Sequence, residues 1–146
     1  MSLHAATVPV FVQFLDALSA ILRKAEEHAT AKKIAPEVML GLRLAPDMFP
    51  LTRQVQIACD FAKNTTGRLA GAELPKMPDE EKSFAELQER IARTKAYVEG
   101  FPEASFGDAA TRTVTFPIAG KSFSMKGADY LSNFALPNFY FHMAAA

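Results

Sequence analysis

The sequence predicts an all-α protein: a four-helix bundle with a small β-hairpin between the third and fourth helices. Three observations lead there. Three separate stretches carry apolar side chains at the 3.6-residue spacing of an amphipathic helix. Between residues 111 and 125 that period gives way to a run rich in Thr, Val and Phe. A last apolar stretch then reads as helix from Gly127 to the final residue. Helices of this kind bury their stripes against one another, and a hairpin too small to stand alone must pack on them.

The first helix is expected from Thr7 or Val8 to about Thr30, with Pro9 in its first turn. Phe11, Phe14, Leu15, Leu18, Ile21, Leu22 and Ala25 form its inward stripe, and Lys32 and Lys33 suit the negative end of its dipole. Pro36, Gly41, Pro46 and Pro50 then break the chain into a loop with one short helical turn at 36–40. The second helix runs from Pro46 or Pro50 to Ala70, with Gly71 as its C-cap. Its stripe is Leu51, Gln54, Val55, Ala58, Ala62, Thr65 and Leu69, in which Gln54 is the polar exception. After a loop, Ser83-Phe84-Ala85-Glu86 forms a capping box. It opens the third helix, 84–99, with Phe84, Leu87, Ile91 and Val98 inward and Gly100 ending it. The hairpin is expected at 111–117 and 121–125, turning at Ala119-Gly120. The fourth helix directs Leu131, Ala135, Asn138, His142 and Ala145 inward and reaches Ala146 without a cap. The whole, 1–146, reads as one domain.

Composition narrows the function classes. The 146 residues suffice for one core, and the 49% apolar and 22% charged shares are ordinary for a globular protein. Sixteen basic residues balance sixteen acidic ones, leaving no electrostatic footprint for nucleic acid or an anionic membrane surface. The single cysteine, Cys59, excludes an intramolecular disulfide and fits a reducing cytoplasm. Gln13 and Asp16 interrupt the first apolar run, which therefore reads as neither signal peptide nor membrane span. No dinucleotide fingerprint, phosphate loop, nucleophile elbow or H-E-x-x-H motif occurs.

The residues that would carry chemistry are few. Asn138 and His142 lie four apart, one turn along the same helix face. Pro137 removes a helical N–H beside them and leaves the Asn133 carbonyl without its helical partner. Such a polar, irregular spot inside a bundle suits a site, though a hydrogen-bonded structural histidine is the more ordinary explanation of His142. An amide is a poor zinc ligand, which counts against Asn138 as half of a metal pair. Asp47 either caps the second helix and pairs with Arg43, or joins Gln54 across the bundle from Asn138 and His142. His28, beside Glu26 and Glu27, reads as solvated, Cys59 as buried filler, and the aromatics of "NFYFH" as core and interface.

Three stretches, "VPVFVQFLDALSAIL", "RLAPDMFPLTRQVQIACDFAK" and "FALPNFYFH", resemble a bacterial family of about this length with a domain of unknown function. That family is placed in the DinB/YfiT-like superfamily of metalloenzymes. The resemblance covers essentially the whole chain. It implies an up-down-down-up four-helix bundle and a homodimer. It also implies a divalent metal held by one histidine on the second helix and an H-x-x-x-H pair on the fourth. Some members of the superfamily are thiol transferases using bacillithiol or mycothiol, and others are isomerases or hydrolases. Carried onto this chain, the second histidine of the pair falls on His142 and the first on Asn138. The helix-two histidine falls near Gln54 or Gln56, of which Gln54 faces inward. At most one of three imidazoles is therefore present.

The expectation is a DinB-like protein with a degenerate metal triad, no resident cofactor and a small-molecule pocket formed by Asp47, Gln54, Asn138 and His142. One alternative is a transferase or hydrolase dependent on a divalent metal, zinc or nickel, with His142 as a ligand. Another is a structural or interaction protein. The apolar run Phe134–Phe141 exceeds what one helix face buries, so Phe139 and Tyr140 are expected to find cover elsewhere. A homodimer would supply it, and so would the loop and the hairpin of the same chain.

Overall fold

The computed structural model describes residues 2–146. It is mostly helical, with one small antiparallel sheet. Helix α1 spans Val8–Lys32, α2 Pro36–Leu40, α3 Leu51–Ala70 and α4 Phe84–Glu99. A short 3-10 turn, Glu103–Phe106, leads to strands β1 (Thr113–Ile118) and β2 (Lys121–Lys126). The chain then continues through α5 (Gly127–Tyr130), a π-helical turn (Leu131–Ala135) and α6 (Leu136–Ala145). No helix among the described residues is long and apolar enough to cross a membrane.

The helix boundaries follow local chemistry. Lys33 and Gly71 take the left-handed conformation just beyond α1 and α3, where their N–H groups close onto the last carbonyls. At α4 the Ser83 hydroxyl accepts from the Glu86 N–H while the Glu86 carboxylate accepts from the Ser83 N–H, the complete capping box. Helix α3 begins at Leu51 with Pro50 before it and no side-chain cap. The expected cap by Asp47 is thus corrected: Pro50 precludes a first-turn start at 46, and Arg43 donates to the Met48 carbonyl at 2.7 Å instead of pairing with Asp47.

Helix α1 packs on α4, and α3 packs on both α4 and α6. Phe11, Leu15, Leu18 and Leu22 of α1 are fully buried with Val55, Ala58, Ala62 and Leu69 of α3 and Leu87 and Val98 of α4. Ile21 was expected inward but is exposed, at the margin of its stripe. Ser19 meets Gln88 at 2.7 Å, and Asp16 meets Lys95 at 2.7 Å.

In the hairpin, Thr113 pairs with Lys126 and Ile118 with Lys121 across the Ala119-Gly120 turn. Val114 and Phe116 are buried, and the Phe116 ring meets Tyr130 at 4.8 Å and Phe134 at 4.6 Å. The hairpin is therefore one more layer on the helical core. Gly127 fixes where β2 turns into helix: a Cβ there would lie 1.9 Å from the Ala109 carbonyl oxygen.

The fourth long helix departs most from expectation. The π-helical turn spends one extra residue, which rotates every following side chain by about 100°. It ends two residues before Pro137, the residue that cannot donate to a regular helical turn. Phe139 consequently takes the inward line and is fully buried, edge-on to Phe11 at 4.7 Å and Phe14 at 5.8 Å. The expectation that Phe139 finds cover outside the bundle is corrected accordingly. Asn138 rotates off the inward line, and its amide donates to the Phe134 carbonyl of its own helix at 2.7 Å.

Candidate functional site

Helix α3 is polar on two faces. Toward α6 it presents Gln54, only 2% exposed. The His142 ring on α6 is buried beside it, with Nδ1 2.6 Å from Gln54 Oε1. The other half of the Gln54 amide donates to the Phe49 carbonyl at 3.3 Å. That assignment fixes the imidazole's tautomer: Oε1 accepts, so Nδ1 carries the proton, and Nε2 keeps a bare lone pair. Phe61 stacks on the ring at 6.0 Å and 17°, while Phe141 meets its edge at 5.1 Å. Burial first, and the nearby Arg53 charge second, hold the His142 imidazole below its ordinary value, so it is neutral near pH 7.

This pair opens on a cleft of about 180 Å³ lined by Asp47, Met48, Phe49, Gln54, Phe141 and His142. Three of the four residues singled out in the sequence therefore meet at one place. Asn138 does not line the cleft, because the π-helical turn carries it away and its amide is spent on Phe134. Phe49 and Phe141 were not singled out. Their signal was an aromatic side chain close to a candidate polar residue: Phe49 two residues after Asp47, and Phe141 directly before His142.

Toward α4 the same helix builds a second polar cluster. Arg90, 2% exposed, pairs with Asp60, Asp79 and Glu81, each at 3.0 Å. It also donates to the carbonyls of Pro78 at 3.1 Å and Met77 at 3.4 Å. Gln56, buried on this side, donates to Glu81 at 2.8 Å, and Lys63 pairs with Asp60 at 3.1 Å. Burial alone would raise the Glu81 carboxyl, but the hydrogen bonds from Gln56 and Arg90 outweigh it and hold it below the usual range. Arg90 thereby straps the 72–83 connection to α3 and α4. Cys59, buried beside Thr94, has its thiol pushed up to about 12 by burial, so it is packing material and not a nucleophile. His28 is exposed, and the His4 Nε2 lies 3.0 Å from the Phe101 carbonyl, far along the chain from the cleft.

A transition metal needs several imidazole, thiolate or carboxylate donors brought together. Among the described residues no three His, Cys, Asp or Glu side chains are grouped to hold one. At the cleft, one imidazole and one carboxylate stand with an amide where further donors would be needed. The residues present do not fit a metal triad.

Residues 3–146 match the family described as Domain of unknown function (DUF1993). The chain is also similar to the crystal structure of a DinB family member protein from Shewanella denitrificans. The two are 44% identical over 98% of this chain and 81% of that one, with a TM-score of 0.90. The chain belongs to the DUF1993 family and has a DinB-like fold. No curated protein matches it.

Proposed function

We propose that this protein is a single-domain, DinB-like small-molecule-binding protein whose pocket has lost the superfamily's metal triad. The observation that carries this reading is the His142–Gln54 pair at 2.6 Å, which leaves one imidazole nitrogen unused beside a cleft of about 180 Å³. That nitrogen is reached by solvent, so the donor of a ligand could meet it from the cleft. The cleft is smaller than the roughly 300–1,000 Å³ typical of sites for drug-sized ligands, so a ligand of few heavy atoms suits it.

The up-down-down-up arrangement is supported by the order of contacts. Asp16–Lys95 and Ser19–Gln88 set α1 against α4, Asp60–Arg90 comes before the Gly67–Tyr97 approach along α3 and α4, and Gln54–His142 opposes Thr65–Tyr130 between α3 and the last helix. A homodimer is supported by Tyr140 and Phe141, which stay exposed on the last helix; a monomer by light scattering at micromolar concentration refutes it. The lone buried thiol of Cys59 accords with a cytoplasmic setting.

Tag-free protein screened by NMR against neutral, anionic and cationic fragments tests the reading. Fragments are expected to perturb the His142 ring in the native chain, and the perturbing set is expected to lose affinity for His142→Phe. Stoichiometric uptake of zinc or nickel would instead restore a metal-dependent transferase or hydrolase. A screen without any perturbation of His142 would leave a structural or interaction role.

A further inference from the structure

The chemistry of the cleft constrains the ligand further, on the reading that the cleft is a ligand site. Gln54 commits one of its two amide N–H groups to the Phe49 carbonyl and its oxygen to His142, which leaves one N–H over. The Met48 carbonyl is taken by Arg43. Beyond that N–H, the lining side chains with polar capacity to spare, among the described residues, are the Asp47 carboxylate, which has no hydrogen-bond or ion-pair partner, and His142 Nε2. Both accept. Neither supplies a proton to a ligand. The remaining walls include the rings of Phe49 and Phe141, 52% and 55% exposed, whose faces attract a cation. Two cations stand near the cleft without lining it: Arg43, whose guanidinium donates to the Met48 carbonyl, and Arg53, which is paired with Asp79 and lies 6.0 Å from the Phe49 ring.

We propose that the cleft binds a small primary ammonium ion, a protonated aliphatic amine of a few carbons. Asp47 is its counter-ion, His142 Nε2 accepts one of its N–H groups, and Phe49 and Phe141 flank its charge and alkyl chain. An ammonium head supplies three donors to the Asp47 carboxylate and the His142 Nε2 lone pair, and a short chain fits a small cleft between rings. A carboxylate or phosphate would meet the Asp47 charge and the His142 lone pair and is expected to bind less well than the ammonium, even with Arg43 and Arg53 nearby.

The test is a titration of the full chain, read at the His142 ring and the Phe141 side chain by NMR, with n-butylammonium, n-butanol and butanoate at one ionic strength. Near pH 7 the ammonium is expected to bind about tenfold tighter than the alcohol, the combined worth of an exposed ion pair and a cation–π contact. Butanoate is expected to bind weakest. Asp47→Asn is the companion variant; Asp47 is exposed and makes no bond the fold depends on. It should bring the ammonium down to the alcohol's affinity and leave the alcohol unchanged. If ammonium and alcohol bind alike, or Asp47→Asn keeps the preference, the ammonium assignment falls while the pocket stands. If no compound moves the His142 signals, the pocket itself falls with it.

Discussion

Two polar clusters flank α3, and they differ in what they leave unused. On the α4 side, Arg90 is surrounded by three carboxylates and two carbonyls, and the flanking Gln56 and Lys63 are committed to the same acids; only the Arg90 Nε–H is left unpaired, and it is buried out of reach of solvent. On the α6 side, Gln54 holds the His142 ring and the Phe49 carbonyl, while the Asp47 carboxylate and His142 Nε2 have no partner and face a cleft. Charge and burial are greater in the first cluster, yet the second has the properties of a site. A closed network fastens chain segments, whereas a cluster with spare capacity beside a cleft has something to offer a ligand. Perturbed ionisation marks both sides of α3, so it does not by itself separate scaffold from site.

The comparison can be broken by mutation, starting with the closed cluster. Arg90→Met should remove the common partner of Asp60 and Glu81 and free the 72–83 connection. The expected loss is about 3–5 kcal/mol by urea denaturation, because it strands partly buried carboxylates. A loss below about 1 kcal/mol would mean the strap is not structural. Gly127→Ala, remote from both clusters, tests the hairpin junction. Its Cβ would collide with the Ala109 carbonyl, which should cost about 1–3 kcal/mol without altering ligand response at His142. Gln54→Leu should cost at most about 1–3 kcal/mol, the penalty of leaving the Nδ1–H of His142 unpaired, but should change the His142 tautomer balance and fragment response most. A cost matching that of Arg90→Met would make the open cluster as structural as the closed one.

Protonation gives the smallest effect and a definite sign. The folded chain holds His142 below its ordinary value of 6.5, so the unfolded chain binds the proton first as pH falls. Stability should be flat above about pH 6.5 and decline below it, by at most about 1.4 kcal/mol per pH unit, until the folded imidazole also titrates. Glu81, lowered from 4.5, adds its own loss only at more acidic pH. The native curve minus that of His142→Gln, from urea melts between about pH 5 and 7.5, isolates the histidine component. A difference that does not vary with pH would show that burial does not act on His142.

Much of the fold was legible because it is written in local patterns. The stripes of α1, α3 and α4, the Ser83–Glu86 box and the hairpin turn at Ala119-Gly120 all depend on near neighbours. The closed cluster was not legible. Arg90 and Thr94 complete the inward spacing of Phe84, Leu87, Ile91 and Val98, but an arginine on such a line signals burial only once distant carboxylates are known to meet it. At the candidate site the sequence yielded Gln54, His142 and Asp47 from face and spacing. It misplaced Asn138 because a regular helix was extrapolated through Leu131–Ala135. Pro137 announced irregularity there, but not whether the chain would kink or gain a residue.

The central claim is that His142 faces the cleft neutral, with its proton on the Gln54 side. Long-range proton–nitrogen correlation of the His142 imidazole at pH 7, in the ligand-free protein, measures this directly. The account predicts a protonated Nδ1 and a bare Nε2, with Nε2 shifting when a ligand is added. A proton on Nε2, or a doubly protonated ring, would contradict it.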